Sequence, residues 1–372
     1  MEKIWLSSPH MSDEGYEMEY INEAFSTNWV APLGENVNQF ENEMCDYIGA
    51  SHAVAMTTGT AAIHMALKYL GVGQGDIVFC TSMTFAASAN PIIYEKATPV
   101  FIDSDPSSCN MSPTALEKAF KKYPNPKAVI TVNLYGQSAD YDKILEICDA
   151  YNVPVIEDAA ESLGATYKGK QTGNIGKFGV FSFNGNKIIT TSGGGMLICD
   201  SLDAKEKITK WITQSRDPAR HYQHSELGFN YRMSNISAGI GRGQLKVLNQ
   251  RIFKKKYIFE AYIKELENKI DEFFMAPICD FGEPNYWMSC AILEKTDPVR
   301  IMEALEKENI ESRPIWKPMH MQPFYKDYDY FTHDDDVSKG IFEKGICLPS
   351  DTKMNDSDIE RIIKVIKGVF DV

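Results

Sequence analysis

No two of the eight cysteines (Cys45, Cys80, Cys109, Cys148, Cys199, Cys279, Cys290 and Cys347) stand at Cys-x-x-Cys spacing, and several lie inside apolar runs. That argues against a disulfide framework and for free thiols in a reducing compartment. No run approaches the roughly 18 apolar residues of a membrane span. The leading segment MEKIWLSSPHMSDEGYE lacks an apolar core of signal-peptide length. A cytoplasmic protein is therefore expected. Basic charge is also scarce. Lys and Arg number 38 against 51 Asp and Glu, a net charge of −13. No basic arm is present, so the electrostatic footprint of a nucleic-acid binder is missing. Any anionic ligand must rely on local donors, because the overall field repels it. HExxH and the GK[ST] of a P-loop are absent. His221 and His224 have no third ligand at a recognised spacing, so no metal is expected.

What is present suits a well-filled fold of more than one unit. At 372 residues the chain exceeds a single simple core, and 44% hydrophobic against 24% charged residues is ordinary globular usage. From residue 52 short apolar runs alternate with amphipathic stretches. Strands are expected at His52–Met56, Asp76–Thr81, Pro99–Asp103, Ala128–Val132, Val153–Glu157, Gly179–Phe183 and Gly195–Cys199. Helices are expected at Thr60–Leu70, Phe85–Tyr94, Pro113–Lys121 and Tyr141–Tyr151. Such alternation predicts a mostly parallel sheet covered by helices. After residue 233 the pattern changes to a long helical stretch, Ser234–Ile270. A strand at Trp287–Leu293 and helices at Pro298–Glu308 and Ser357–Phe370 follow. The division expected is a large domain over residues 1–240 and a connecting helix with a small α+β domain over 241–372.

Three segments could carry chemistry. Val155-Ile-Glu-Asp158-Ala-Ala-Glu161 ends a buried strand in an acid at the carboxyl edge of a parallel sheet, where such folds bind ligands. An acid there is also a common helix cap. Phe181-Ser182-Phe183-Asn184-Gly185-Asn186-Lys187 places a lysine between a strand and the glycine-rich Thr190–Gly195. Small residues there allow close backbone approach to a ligand. Met56-Thr-Thr-Gly59-Thr60 runs from a strand into a helix, and helix starts offer free N–H groups to phosphate. Together they supply what pyridoxal 5'-phosphate (PLP) requires: a lysine for its aldehyde, an acid for its ring nitrogen, and donors for its phosphate. Phe85 follows another strand and could cover the ring, or simply pack in the core.

These segments resemble the sugar aminotransferases of the DegT/DnrJ/EryC1/StrS family, and the likeness runs over essentially the whole chain. Its marks are GTAAIHMAL, VIEDAAES, FSFNGNKIITTSGGGM and RPIWKPMH. Ser8-Pro-His-Met11, Asn28-Trp-Val-Ala-Pro-Leu-Gly34, Asn133-Leu-Tyr-Gly-Gln137 and Gly345-Ile-Cys-Leu-Pro-Ser350 resemble the branch that aminates UDP-4-keto-6-deoxy-N-acetylglucosamine in UDP-N-acetylbacillosamine formation.

The resemblance implies an aspartate-aminotransferase-like fold of type I, with a mostly parallel seven-stranded sheet in the large domain. It implies that PLP is the cofactor and that L-glutamate is the amino donor. Lys187 would carry the cofactor as a Schiff base and Asp158 would pair with its ring nitrogen. Gly59, Thr60 and Ser182 would hold the phosphate, with Phe85 on the ring. Glu161 stands where the wider family more often has Gln or His. Asn230 would reach the phosphate of a neighbouring subunit's cofactor, which makes a homodimer with shared sites. Asn28, Trp29, Val30 and Ala31, with Arg313, Trp316, Lys317 and His320, would line the sugar-nucleotide pocket. Arg216, Arg220 and Arg232 are further candidates for the diphosphate, and Tyr135 for stacking. A different ketosugar, linked to dTDP or GDP or aminated at C3, remains an alternative. A dinucleotide oxidoreductase would need a glycine fingerprint that Thr57-Thr-Gly-Thr does not supply. A PLP-binding regulator would need a DNA-binding element, and none is visible.

Overall fold

A computed structural model describes residues 2–371. Seven strands form the larger sheet's frame: β1 (His52–Met56), β2 (Ile77–Thr81), β3 (Thr98–Ile102), β4 (Ala128–Val132), β5 (Val155–Asp158), β6 (Phe178–Ser182) and β7 (Gly195–Cys199). The later chain adds β8 (Phe273–Met275), β9 (Ser289–Leu293), β10 (Arg313–Pro314), β11 (Tyr330–Phe331) and β12 (Gly345–Leu348). The large sheet runs β1-β7-β6-β5-β4-β2-β3-β11, and only β7 is antiparallel to its neighbours. The smaller sheet, β8-β9-β12-β10, is antiparallel throughout.

The expected seven strands are therefore eight. β3 would otherwise be an edge with unpaired amides, an exposure that folds usually cover. The two-residue β11 pairs along it, and Phe101 N–H donates to the Asp329 carbonyl at 2.9 Å.

Alternation along the strands sorts side chains into cores on opposite faces. In β1, Val54 and Met56 join one cluster while Ala53 and Ala55 join another. In β7, Leu197 and Cys199 part from Met196 and Ile198 in the same way. Each fully buried large side chain, such as Phe181, contributes about 1.5–3 kcal/mol. Helix Gly59–Tyr69, eight of whose residues are buried, fills one face and is capped by the Thr58 hydroxyl, which accepts from Ala61 N–H at 3.0 Å.

Four helices went unexpected: Leu202–Ile212, Val337–Lys344 and, at the N-terminal end, Tyr16–Ser26 and Glu35–Ile48. The last two pack on helix Asn235–Lys246, whose Gly243 lies so close that a Cβ would meet Glu17 N at 2.5 Å. The long helical stretch is broken at Val247 and resumes as Leu248–Tyr262 with a further wide turn to Glu267. All eight cysteines are free. No helix among the described residues is long and apolar enough to cross a membrane.

Candidate active site

Parallel pairing brings the carboxyl ends of β1, β2, β5 and β6 to one edge, and the antiparallel β7 begins there. Met56 and Ser182 both pair with Gly195. The loops leaving this edge enclose a cavity of about 260 Å³. Its wall includes Gly59, Thr60, Phe85, Asp158, Glu161, Ser182 and Lys187. Seven expected residues from four separate segments thus face one space. Trp316, expected at the sugar nucleotide, also lines it.

Asp158 ends β5 in a buried position. Burial pushes its carboxyl pKa up, and three influences pull it back: the Ser88 hydroxyl, the Ala160 amide and the Lys187 charge. Ser88 Oγ donates to Oδ2 at 2.6 Å, and Ala160 N–H donates to Oδ1 at 3.1 Å. Thr84 Oγ1 lies 2.6 Å from Ser88 Oγ, so a hydroxyl pair stands behind the carboxylate. The neighbouring Glu157 faces away, where Asn133 Nδ2 and the amides of Gly173 and Ile175 satisfy it.

Lys187 sits in the turn after β6, its N–H donating to the Asn184 carbonyl at 3.0 Å. Its side chain is 11% exposed, and Nζ lies 3.5 Å from Glu161 Oε1. Nζ also stands 4.2 Å from the ring centre of Trp287, a cation–π distance. Trp287 is pinned from behind, its Nε1 donating to the Asn186 carbonyl at 2.8 Å. Glu161 Oε2 accepts from Tyr135 N–H at 2.6 Å. Burial raises the Glu161 carboxyl pKa to about 7, against the opposing pull of Lys187. Phe85 and Trp316 meet at 5.7 Å across the mouth.

Other expected residues lie elsewhere. Asn230 is exposed and accepts from Gln214 Nε2 at 2.9 Å, outside this cavity. Trp29 borders a separate surface cleft. Trp29 and Val30 are exposed, and the carbonyls of Trp29 and Ala31 are held by Asn235. Asn28 precedes them in a left-handed turn. Arg313 pairs with Glu311 at 2.7 Å and faces solvent, and Lys317 does not line the cavity. His320 turns away from the cavity: Nδ1 meets Ser82 Oγ at 2.7 Å, and its ring stacks on Tyr330 at 3.7 Å. Arg232 is committed to an ion pair with Glu41 at 2.5 Å. Arg216 stacks on Tyr222. Tyr135 stands behind Glu161 rather than on the wall.

Four contributors were not anticipated: Ser88, Thr84, Trp287 and the Ala160 amide. The sequence held a signal for one of them, since Ser88 lies three residues after Phe85, in the first turn of the helix that Phe85 precedes. Trp287 comes from a segment a hundred residues later, and no local pattern points to it.

The family model of the DegT/DnrJ/EryC1/StrS aminotransferases matches residues 12–367. The chain belongs to that family. It is 52% identical to EpsN of Bacillus subtilis (strain 168), provisionally assigned as a PLP-dependent aminotransferase, over 99% of this chain and 96% of that one. It is 36% identical to the GDP-perosamine synthase of Caulobacter vibrioides, over 99% of this chain and 98% of that one. It is 33% identical to a UDP-4-amino-4,6-dideoxy-N-acetyl-beta-L-altrosamine transaminase of Campylobacter jejuni, over 86% of each. The fold is the aspartate-aminotransferase-like type I fold of these enzymes, and PLP is the cofactor. The cavity of the aminotransferase suits that group. A Cβ on Gly59 would approach Ser182 Cβ to 3.2 Å, so the bare glycine keeps a small cradle open at the helix start. Opposite lies a buried carboxylate, and a lysine stands between them.

Proposed function

We propose that this aminotransferase moves the amino group of L-glutamate to the C4 ketone of a UDP-4-keto-6-deoxy-N-acetylhexosamine. The product would be a UDP-4-amino-4,6-dideoxy sugar for surface polysaccharide or glycoprotein glycans. The observation that carries the reaction class is the meeting of Lys187, Asp158 and the Gly59–Thr60 helix start in one cavity. The UDP sugar rests on the likeness of Asn28–Gly34 and Arg313–His320 to that branch and on the Campylobacter jejuni relative. The Caulobacter vibrioides relative favours a second reading, a GDP-linked ketosugar.

PLP, when bound, supplies an aldehyde that accepts the amino group and a cationic ring that draws electrons from the carbon losing its proton. Lys187 would hold the cofactor through its Nζ and, as a neutral amine, would serve to move a proton. Asp158, ionised, keeps the ring nitrogen protonated, and Ser88 and Ala160 hold its two oxygens in place. The amides of Gly59 and Thr60, with the Ser182 hydroxyl, hold the phosphate at the positive end of a helix. Phe85 covers the ring. Asn230, exposed and outside the lining of its own cavity, serves the site of a second subunit in a homodimer. Asn28 to Ala31, with Arg313, Trp316, Lys317 and His320, belong to the sugar-nucleotide side. For Arg313 and His320 that role requires rearrangement from their present partners, Glu311 and Ser82.

The test starts from protein loaded with PLP, converted with glutamate to its amino form and freed of excess donor. UDP- and GDP-linked 4-ketosugars are then added separately, and the visible absorbance of lysine-bound cofactor is followed. Rapid return with the UDP-4-keto-6-deoxy-N-acetyl sugar supports the proposal. Return with the GDP sugar alone transfers it to the second reading. Lys187→Ala must abolish both band and turnover; retained turnover would refute the reaction class.

A further inference from the structure

Glu161 and Lys187 form a buried pair whose consequences go beyond holding the cofactor. The Glu161 side chain is 4% exposed and that of Lys187 is 11% exposed. Glu161 Oε2 is occupied by the Tyr135 amide at 2.6 Å, which leaves Oε1 directed at Lys187 Nζ. Their 3.5 Å separation is longer than the 2.7–2.9 Å of a tight charge-assisted bond. The pair is close enough to exchange a proton after a small movement, and too loose to lock the ammonium. Other groups around Glu161 do not replace Lys187. Asp158 is of like charge, the Tyr135 phenol and the Cys290 thiol are neutral groups whose pKa burial pushes up, and Cys347 brings only a thiol beside Cys290.

A lysine must lose its ammonium proton before it can attack a carbonyl. Once Lys187 has become part of a carbon–nitrogen double bond, a carboxylate at Glu161 would be buried without its cation, beside Asp158. Burying an uncompensated charge costs several kcal/mol, and such a group takes up a proton instead.

We propose that Glu161 is the proton acceptor for Lys187: it takes the ammonium proton when the cofactor attaches and returns it when the lysine is released. This rests on the functional reading above. In the step, one N–H bond of Lys187 breaks and an O–H bond forms on Glu161 Oε1. The neutral amine adds to the aldehyde carbon, and the carbonyl oxygen leaves as water with the two remaining amine protons. No proton needs to leave for solvent. The carboxyl's position near pH 7 in the free protein suits a group that both takes and gives a proton.

The test counts protons. Free protein is titrated with PLP at pH 8 by calorimetry in two buffers of different ionisation enthalpy, for the wild type and for Glu161→Gln. At that pH about nine-tenths of Glu161 is ionised before binding. The variant should therefore release up to about one proton more per site than the wild type. Equal release overturns the proposal. A second measurement avoids PLP. The pH profile of Lys187 modification by an amine-reactive reagent, read by mass spectrometry in free protein, should move to lower pH in Glu161→Gln, because the carboxylate no longer holds the ammonium. An unmoved profile overturns the proposal even if the variant binds cofactor poorly. If the wild type itself never develops the visible band with PLP, the functional reading falls and this role with it. A normal band with equal proton counts removes only the role of Glu161.

Discussion

Replacing Ser88 by alanine tests whether the acid at the floor of the cavity is held ionised by its neighbours. Asp158 is buried, and desolvation pushes its carboxyl pKa up and disfavours the charged form. Ser88 Oγ donates to Oδ2 at 2.6 Å, and Ala160 N–H to Oδ1 at 3.1 Å, so the hydroxyl is the shorter of the two bonds. A hydrogen bond to a charged group is worth about 1.5–3 kcal/mol. Its loss would push the Asp158 carboxyl pKa further up, because burial would act with less opposition. Thr84 Oγ1 would also lose its 2.6 Å partner. A less ionised Asp158 binds a protonated ring nitrogen less well, so PLP affinity should weaken about 10- to 100-fold. The absorbance of bound cofactor, titrated at pH 7 and pH 8.5, measures this directly. The defect should be smaller at the higher pH, which favours the ionised form of Asp158. Ser88→Thr keeps the hydroxyl and should stay near the wild type. Wild-type affinity in Ser88→Ala would refute the argument that this bond sets the charge of Asp158.

The stability of cofactor-free protein should depend on Glu161 in a defined pH window. Its folded pKa, about 7, lies above the ordinary 4.5, so the folded state binds the proton more tightly than the unfolded state. The resulting stabilisation is full below pH 4.5 and disappears as pH rises to 7, a change of about 3 kcal/mol. Urea denaturation of wild type and Glu161→Gln at pH 5 and pH 7.5 reads this difference, and an unchanged gap between the two proteins would contradict it. Gly195→Ala should destabilise by more than about 2 kcal/mol and impair cofactor binding, because its Cβ would fall 2.3 Å from Gly59 N and from the Thr58 carbonyl carbon. Thermal denaturation and PLP titration check both effects. Lys187→Ala and Asn230→Ala proteins, each inactive alone, should regain activity when subunits are exchanged. Mixed dimers then carry one intact site, about a quarter of all sites in an equal mixture; no recovery would remove the shared-site arrangement.

Much of the large sheet was legible because each strand is a short apolar run with its own turn signals. His52–Met56, Ala128–Val132 and Gly195–Cys199 were placed to the residue. The N-terminal helices Tyr16–Ser26 and Glu35–Ile48 were missed. Their apolar positions are sparse, and what holds them is the glycine-bearing face of a helix two hundred residues away. Lys254-Lys255-Lys256 reads as a solvated run, yet Lys255 is 2% exposed and donates to the carbonyls of Trp287 and Ser350 at 2.9 and 2.8 Å. Helix rotation turns one of three identical side chains inward, and composition cannot say which.

The sequence by itself determined the identity of the chemical groups. A lysine in a small-residue turn after a strand, an acid at a strand's end and a glycine at a helix start are local patterns. Each depends on backbone conformation over a few residues. Tertiary structure alone decided what surrounds them. Strand alternation turned Asp158 into the cavity and Glu157 away from it. Parallel pairing placed Ser88, seventy positions earlier, against Asp158. Trp287 came beneath Lys187, and His320 was drawn onto Tyr330 and Ser82. Charge state and reactivity depend on burial and on neighbours distant in the chain, and these exist only once the sheet has closed over its two cores.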